Sequence, residues 1–435
     1  MSEIILNDIL QPGEIELYVQ NLLPSNVEDL GTPKWFESHH FLQKLHQQSC
    51  VEAREMREEV VKDLLISHCK LPILIHEVVC IQVWREKILS QILKLNYEPQ
   101  VTLIIYITLF HEVTAVGLLE NVLYHRDSVS CINDEITDLI DYCASEIVRL
   151  ISEARFFSMK DDTKSSYTSN KEEIKCQYKT ISFNVELSTL NILRYLAEFV
   201  EEIPLSASSR MYKTHDVPLL MVNLIQMSPW KRVNSKINTV QIFEDRVWKN
   251  IDKISGISKY EGQCWIALRF LLLNPQSQYE INDFRKQHFL KAQPLIDQIP
   301  PLLDLKQFLT NLSFQNVLIN DKKPLIMETI PEIKSNILKK CFKKWKKITK
   351  KQVELMFFPK KETLMEIGKR LGETYDVDHL EKVFPEGPVC SNCGDAACKR
   401  CSGCKNEWYC GRECQVKRWS KHKMVCSIMS SKNEK

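Results

Sequence analysis

Apolar side chains recur along most of this chain at steps of three and four, and the runs are punctuated by proline while only 11 glycines occur in 435 residues. That pattern predicts helices joined by short turns rather than strands and hairpins. One clear helix is expected over 133–151. Asn133 serves there as N-cap, Asp134 and Glu135 lie in the positive first turn, and Ile136, Leu139, Ile140, Cys143, Ile147, Leu150 and Ile151 form one stripe. Thr32-Pro33 and Leu71-Pro72 read as further helix openings, since proline in a first turn forfeits no hydrogen bond. Helices are also expected at 181–200, where Ile181, Phe183, Val185 and Leu187 alternate in a way that also suits a strand, and at 217–226, 260–273 and 302–312. The stretch 233–251 reads as a long loop.

These elements add up to a mainly α fold, an irregular armadillo/HEAT-like helical solenoid or a bundle, with no repeat of fixed spacing. The segment 159–173 carries one aromatic and almost no aliphatic side chains, too little to offset its ordering entropy, so a disordered loop is expected. The chain then divides into an N-terminal helical domain (1–156), that loop (157–173), a second helical region (174–384) and a small C-terminal module with a short tail (385–435). The second region ends in a basic amphipathic helix. Eight lysines crowd into 339–351, and Leu338, Cys341, Phe342, Trp345, Ile348, Gln352 and Leu355 form its inner stripe.

The formal charge is +2, too balanced for a surface that tracks nucleic acid or anionic lipid as a whole. The N-terminus lacks the basic and apolar pattern of a signal peptide. The most apolar stretch, 101–110, is closed by His111-Glu112, well short of the roughly 18 to 20 residues a membrane span needs. An intracellular, reducing compartment is expected, cytosolic or nuclear. Of the 16 cysteines, eight lie scattered and eight fall within 390–426, which points to reduced thiols plus a metal site.

In that module the ligand-type residues come in four pairs: Cys390-x2-Cys393, Cys401-x2-Cys404, Cys410-x3-Cys414 and His422-x3-Cys426. Eight ligands make two tetrahedral sets, and thiolate with imidazole suits zinc; Cys398 breaks the pairing and is left free. Eight basic residues in 390–426 are largely counter-charge for the thiolates, and no C2H2-type reading helix is present, so DNA binding is not expected. The spacing resembles the MYND zinc-finger family at every ligand position. That resemblance implies an interleaved arrangement, with Cys390, Cys393, Cys410 and Cys414 on one zinc and Cys401, Cys404, His422 and Cys426 on the other. It also implies a peptide-docking groove, often for proline-containing segments, at Ser402, Gln415 and Trp419. Trp408 is expected to pack over the finger's small core.

No Gly-rich phosphate loop, Gly-x-Ser-x-Gly elbow or dinucleotide fingerprint occurs. His76-Glu77-Val78-Val79-Cys80 has the outline of a zinc-protease helix but places Cys80 where the second histidine belongs. The SET signature of some MYND proteins is also missing, and no enzymatic activity is expected. Outside the finger, Ser209-Arg210-Met211, Thr214-His215, Pro218-Leu219-Leu220, Ser228-Pro229-Trp230, Gly262-Gln263 and Trp265-Ile266-Ala267-Leu268 resemble the helical body of a family of axonemal dynein assembly factors that end in a MYND finger. Within the finger, Asn406-Glu407-Trp408-Tyr409-Cys410 and Arg412-Glu413-Cys414-Gln415-Val416-Lys417 resemble it too. The resemblance implies a cytoplasmic adaptor needed for motile cilia, with a pool at centriolar satellites or the ciliary base. Its implied partners are a leucine-rich-repeat dynein assembly factor, heat-shock chaperones, an immunophilin-type co-chaperone, and axonemal dynein chains as clients. Other MYND proteins offer a competing role, a nuclear transcriptional corepressor adaptor.

Overall fold

The computed structural model describes residues 9–157, 169–234, 239–250, 257–275, 277, 279–296, 302–314, 329–374, 390–405 and 407–430. Local chemistry sets the helix starts. Helices α1 (Pro12–Gln20) and α2 (Pro33–Arg54) each open on proline, and the Thr32 hydroxyl caps α2 by accepting the Trp35 N–H. After α3 (Val60–Ser67), helix α4 (Leu71–Trp84) carries Pro72 in its first turn and runs through a π turn at Arg85–Leu89 into the short α5 (Ser90–Ile92). There follow α6 (Leu103–Leu123), α7 (Arg126–Ser130), α8 (Ile136–Phe157), α9 (Asn170–Glu198), α10 (Leu205–Ser209) and α11 (Val217–Met227).

An antiparallel meander then intervenes, with strands β1 (Lys231–Asn234), β2 (Thr239–Glu244) and β3 (Val247–Asn250). Beyond it come α12 (Lys259–Leu273), α13 (Asp283–Ile296), α14 (Leu303–Phe314), α15 (Ile333–Lys340), α16 (Trp345–Phe357) and α17 (Lys361–Thr374).

The helices stack in order. Helix α6 packs on α2 and α4 at one side and α9 at the other; α9 meets α12, α12 meets α11, α11 meets α13, and α13 meets α14. Gly117 lets α6 approach α2 closely, because a Cβ there would lie 2.5 Å from His46 Nε2. The chain then returns to its first layer. The Asp138 carboxylate accepts the backbone N–H groups of Glu332 and Ile333 at 3.2 and 3.0 Å. Trp84 donates its indole N–H to Gln352, whose amide donates in turn to the Val27 carbonyl, both at 2.7 Å. Buried apolar side chains from Leu10 to Ile367 consequently form one continuous cluster. The helical regions expected on either side of 157–173 share it.

A polar knot is sealed inside that core. Arg85 donates to Glu112 and Glu146, each at 2.7 Å, Tyr142 donates to Glu112 at 2.8 Å, and Arg149 donates to Glu186 at 2.7 Å. Two guanidinium groups among three carboxylates leave one negative charge uncompensated. Burial, opposed by Arg85 and assisted by Glu146, pushes the Glu112 carboxyl up to about 7.

Several expectations need correction. Of the stretch 233–251, read as a loop, 235–238 and 251 lie outside the described residues, and the described residues belong to the three-stranded meander. Its β2–β3 turn holds Asp245 and Arg246 at φ 51° and 63°, and Phe243 and Trp248 pack on Phe183 of α9. Part of the expected loop over 157–173 is helix, Phe157 in α8 and 170–173 in α9. Residues 158–168 lie outside the described residues, but Ser169 accepts the Glu172 N–H and starts α9 at Asn170. Helix α8 begins at Ile136, after a turn over Asn133 to Glu135, and ends at Phe157 rather than 151.

The basic helix is two helices, broken where Lys343 adopts φ 62°. The apolar stretch does not stop at His111-Glu112 either. Helix α6 runs for 21 residues, long and apolar enough to cross a bilayer by length and composition, with 72% of that window buried inside the protein. His111 and Glu112 are both buried in polar contacts, His111 with Glu77 at 2.9 Å.

Candidate metal centre and peptide face

Residues 390–430 build a second, much smaller unit. Two turns carry the Cys-x2-Cys pairs, two-residue strands β4 (Lys399–Arg400) and β5 (Trp408–Tyr409) pair antiparallel, and helix α18 (Arg412–Ser430) supplies Cys414, His422 and Cys426. The spacing explains the convergence. A two-residue gap lets one turn present both sulfurs, and a three-residue gap in α18 brings His422 and Cys426 to the same face one turn apart.

The structure gathers the eight predicted ligands into the two predicted sets. Within Cys390, Cys393, Cys410 and Cys414, and within Cys401, Cys404, His422 and Cys426, all ligand atoms lie within 4.8 Å of one another. The first set has sulfur separations of 3.4 Å (Cys393 to Cys410), 3.5 Å (Cys410 to Cys414) and 3.8 Å (Cys393 to Cys414). In the second, Cys401 and Cys426 are 3.7 Å apart, and His422 Nε2 lies 3.3 and 3.4 Å from Cys401 and Cys404.

A tetrahedron with zinc–sulfur arms of about 2.3 Å has edges of about 3.8 Å, so these are the separations a zinc ion would set. They are far too long for disulfides of about 2.05 Å. Burial raises the Cys390 thiol, but the N–H groups of Cys410, Cys393 and Asn392 bring it down to about 6. At Cys393 the Asp395 N–H acts downward, yet burial and the Cys390 and Cys410 sulfurs leave the thiol well above its ordinary value. The two sets therefore fit two structural zinc ions. When bound, each ion supplies a closed cross-link of four protein ligands and no open position for a substrate.

Glu407 is a site residue the sequence reading missed. Its carboxylate lies 3.1 Å from His422 Nδ1 and accepts the Tyr409 hydroxyl, so it orients the imidazole whose other nitrogen faces the sulfurs. Its place three residues after Cys404 was the available clue. Among the described residues, the finger's core gathers Cys390, Cys401, Cys404, Tyr409 and Cys426. Tyr409 is thus its buried aromatic, whereas Trp408, expected in that role, is half-buried with the Arg400 guanidinium 5.4 Å from its ring. Cys398 is exposed and outside both sets.

Of the residues expected to line a peptide groove, Gln415 and Trp419 stand one turn apart on α18, and Ser402 is exposed between Cys401 and Cys404. Trp419 is 42% exposed, its ring edge-on to His422 at 5.9 Å. A second missed residue joins finger to body. Glu173, almost fully buried on the first turns of α9, accepts Arg418 at 3.2 Å and Lys421 at 3.3 Å. Helix α17 packs on both α2 and α18, so the finger rests against the helical stack. Arg418 lies one turn from Gln415 and beside Trp419 along α18, and among the described residues Gln415 stays half-buried and Trp419 exposed next to this contact.

The zinc-protease outline at His76 is structural in its contacts. His76 Nε2 meets the Ser25 carbonyl at 2.9 Å and Glu77 accepts the Ser25 N–H at 2.6 Å, which ties α4 to the preceding loop.

Comparison with known proteins agrees with this geometry. The family model described as MYND finger matches residues 390–426. Over the whole chain, the zinc finger MYND domain-containing protein 10 homolog of Drosophila melanogaster is 34% identical across 449 aligned residues, covering 96% of this chain and 99% of that protein. Protein CBFA2T2 of Xenopus laevis is 51% identical over 37 residues, 8% of this chain and 6% of that one. No solved structure matches the chain.

Proposed function

The chain belongs to the family of zinc finger MYND domain-containing protein 10, and from that membership we propose that it is a cytoplasmic, non-enzymatic adaptor in the preassembly of axonemal dynein arms for motile cilia. The observation that carries the reading is the coexistence on one chain of a long, continuous helical body and a finger with two metal-ligand sets on whose helix Trp419 is exposed and Gln415 half-exposed. Tryptophan offers a flat apolar wall and glutamine can hydrogen-bond an extended backbone, which suits capture of a short peptide beside the second zinc set. The body would hold a client or chaperone while the finger takes a second protein. Two modest sites on one rigid chain raise the effective concentration of each partner for the other without chemistry.

The proposed partners are a leucine-rich-repeat dynein assembly factor, heat-shock chaperones with an immunophilin-type co-chaperone, and dynein chains as clients. Affinity purification from ciliated cells tests this with full-length protein beside Gln415→Ala/Trp419→Ala and Cys404→Ser variants. The leucine-rich-repeat factor should be lost with both variants while body-bound partners persist. An unchanged partner list removes the finger from the account. The competing nuclear corepressor role draws only on the finger, as does the match to Protein CBFA2T2. Steady nuclear residence of the endogenous protein would favour it.

A further inference from the structure

The break between α15 and α16 is the least expected feature of the body. Lys343 holds φ 62°, a left-handed conformation that is costly for a residue with a side chain. Its effect is to anchor Cys341 in the core and turn Phe342 outward, leaving it 66% exposed. Phe342 is then surrounded by charge. Lys343, Lys346, Lys347, Lys350 and Lys351 are all exposed, and no carboxylate among the described residues is paired with any of them. Lys346, Lys347, Lys350 and Lys351 fan over one side of α16, and with Lys343 at the break they make a ledge about 12 Å long, with Glu354 just beyond it.

Three properties of the ledge narrow its partner. It carries lysine and no arginine across 339–351, so the planar fork that recognises phosphate or carboxylate in paired bonds is missing. Two clefts of the body, about 290 and 350 Å³, lie elsewhere, both lined in part by Arg246. Apolar peptide recognition uses such a groove or an open strand edge, and recognition of acidic motifs draws on arginine. The ledge also ends in an exposed phenyl ring, with the Lys343 ammonium 5.5 Å from its centroid, and the ring gains by entering an apolar phase. Flexible lysines around one protruding aromatic match the surface of an anionic bilayer, where ammonium groups sit among headgroups and the ring enters the acyl boundary.

We propose that the Phe342 elbow and the lysine ledge of α16 form a peripheral site for anionic membrane surface. The site is separate from the zinc finger and needs no spanning segment. Co-sedimentation of the full-length protein with phosphatidylcholine vesicles, with and without phosphatidylserine, tests it. The protein should pellet only with phosphatidylserine present and should be released as salt rises. Reversing four charges together (Lys343→Glu, Lys346→Glu, Lys347→Glu, Lys350→Glu) should weaken the partition by ~100-fold or more. Phe342→Ala, at an exposed position, should weaken it about tenfold with the fold and zinc content intact. The proposal is overturned if wild-type protein ignores phosphatidylserine vesicles, or if both variants pellet like wild type. It is equally overturned if a single-stranded RNA or a polyglutamate peptide engages the same lysines more tightly than the vesicles do.

Discussion

The helical body and the finger solve the same problem by opposite means. In the body, apolar side chains from Leu10 to Ile367 bury one another across a continuous core, and even its charges, Arg85 with Glu112 and Glu146, are enclosed. In the finger, the core among the described residues is four buried cysteines and one tyrosine, with His422 buried beside them. So small a unit cannot fold on apolar burial alone, whereas a structural zinc contributes roughly 10 to 16 kcal/mol of apparent binding free energy in finger peptides. The difference teaches where each part is vulnerable: the body to lost packing and unpaired buried charge, the finger to lost metal.

The sharpest way to break the comparison is to remove zinc. A strong chelator should unfold residues 390–430 and leave the cooperative thermal unfolding of the body nearly unchanged, as hydrogen exchange resolved by region would show. Loss of protection throughout the chain would mean that the two units are not independent. Next in size, Arg85→Ala leaves Glu112 and Glu146 buried without their shared cation. About 3–5 kcal/mol of body stability should be lost, by denaturant titration, with two zinc ions retained.

A smaller effect concerns the proton in that knot. Because the Glu112 carboxyl is raised to about 7 in the folded protein, the native state holds a proton there that the unfolded state releases near 4.5. Stability should therefore fall as pH rises between those values, by at most about 1.4 kcal/mol per pH unit. Glu186 in the same knot, pushed up to about 10 by burial with Glu153 and Glu146, adds a slope of the same sign. Glu112→Gln should therefore lessen the fall below pH 7 without abolishing it, and an unchanged slope would place the proton on Glu186 alone.

The smallest effect lies between the two units. Glu173→Ala removes the acceptor shared by Arg418 and Lys421. It should loosen the finger from the body by about 1 kcal/mol, visible as faster hydrogen exchange in α18 with zinc content unchanged.

The same contrast explains what the sequence made legible. Metal ligation is a local code: four pairs at fixed gaps located all eight ligands, and the structure joins them in the sets the MYND resemblance implied. Helices with a proline or Ser/Thr start and a long apolar stripe were legible too, as at Thr32-Pro33 and 260–273.

The meander was not, because its two-residue turn is Asp245-Arg246 where a glycine at the second position would have flagged a hairpin. The start of α9 hid in a polar stretch, although Ser169 followed by Glu172 has the spacing of a capping box. The break at Lys343 left no trace, since Leu338, Cys341, Trp345, Ile348 and Gln352 keep helical spacing across it. Glu173 became a docking residue only through a contact 245 residues away in the chain, which no local pattern encodes.

Native mass spectrometry of the full-length protein tests the central claim most directly. The intact chain should carry two zinc ions, and Cys404→Ser should lose zinc and the α18 fold together while the body remains native. A metal-free chain with α18 equally protected from exchange would contradict the account.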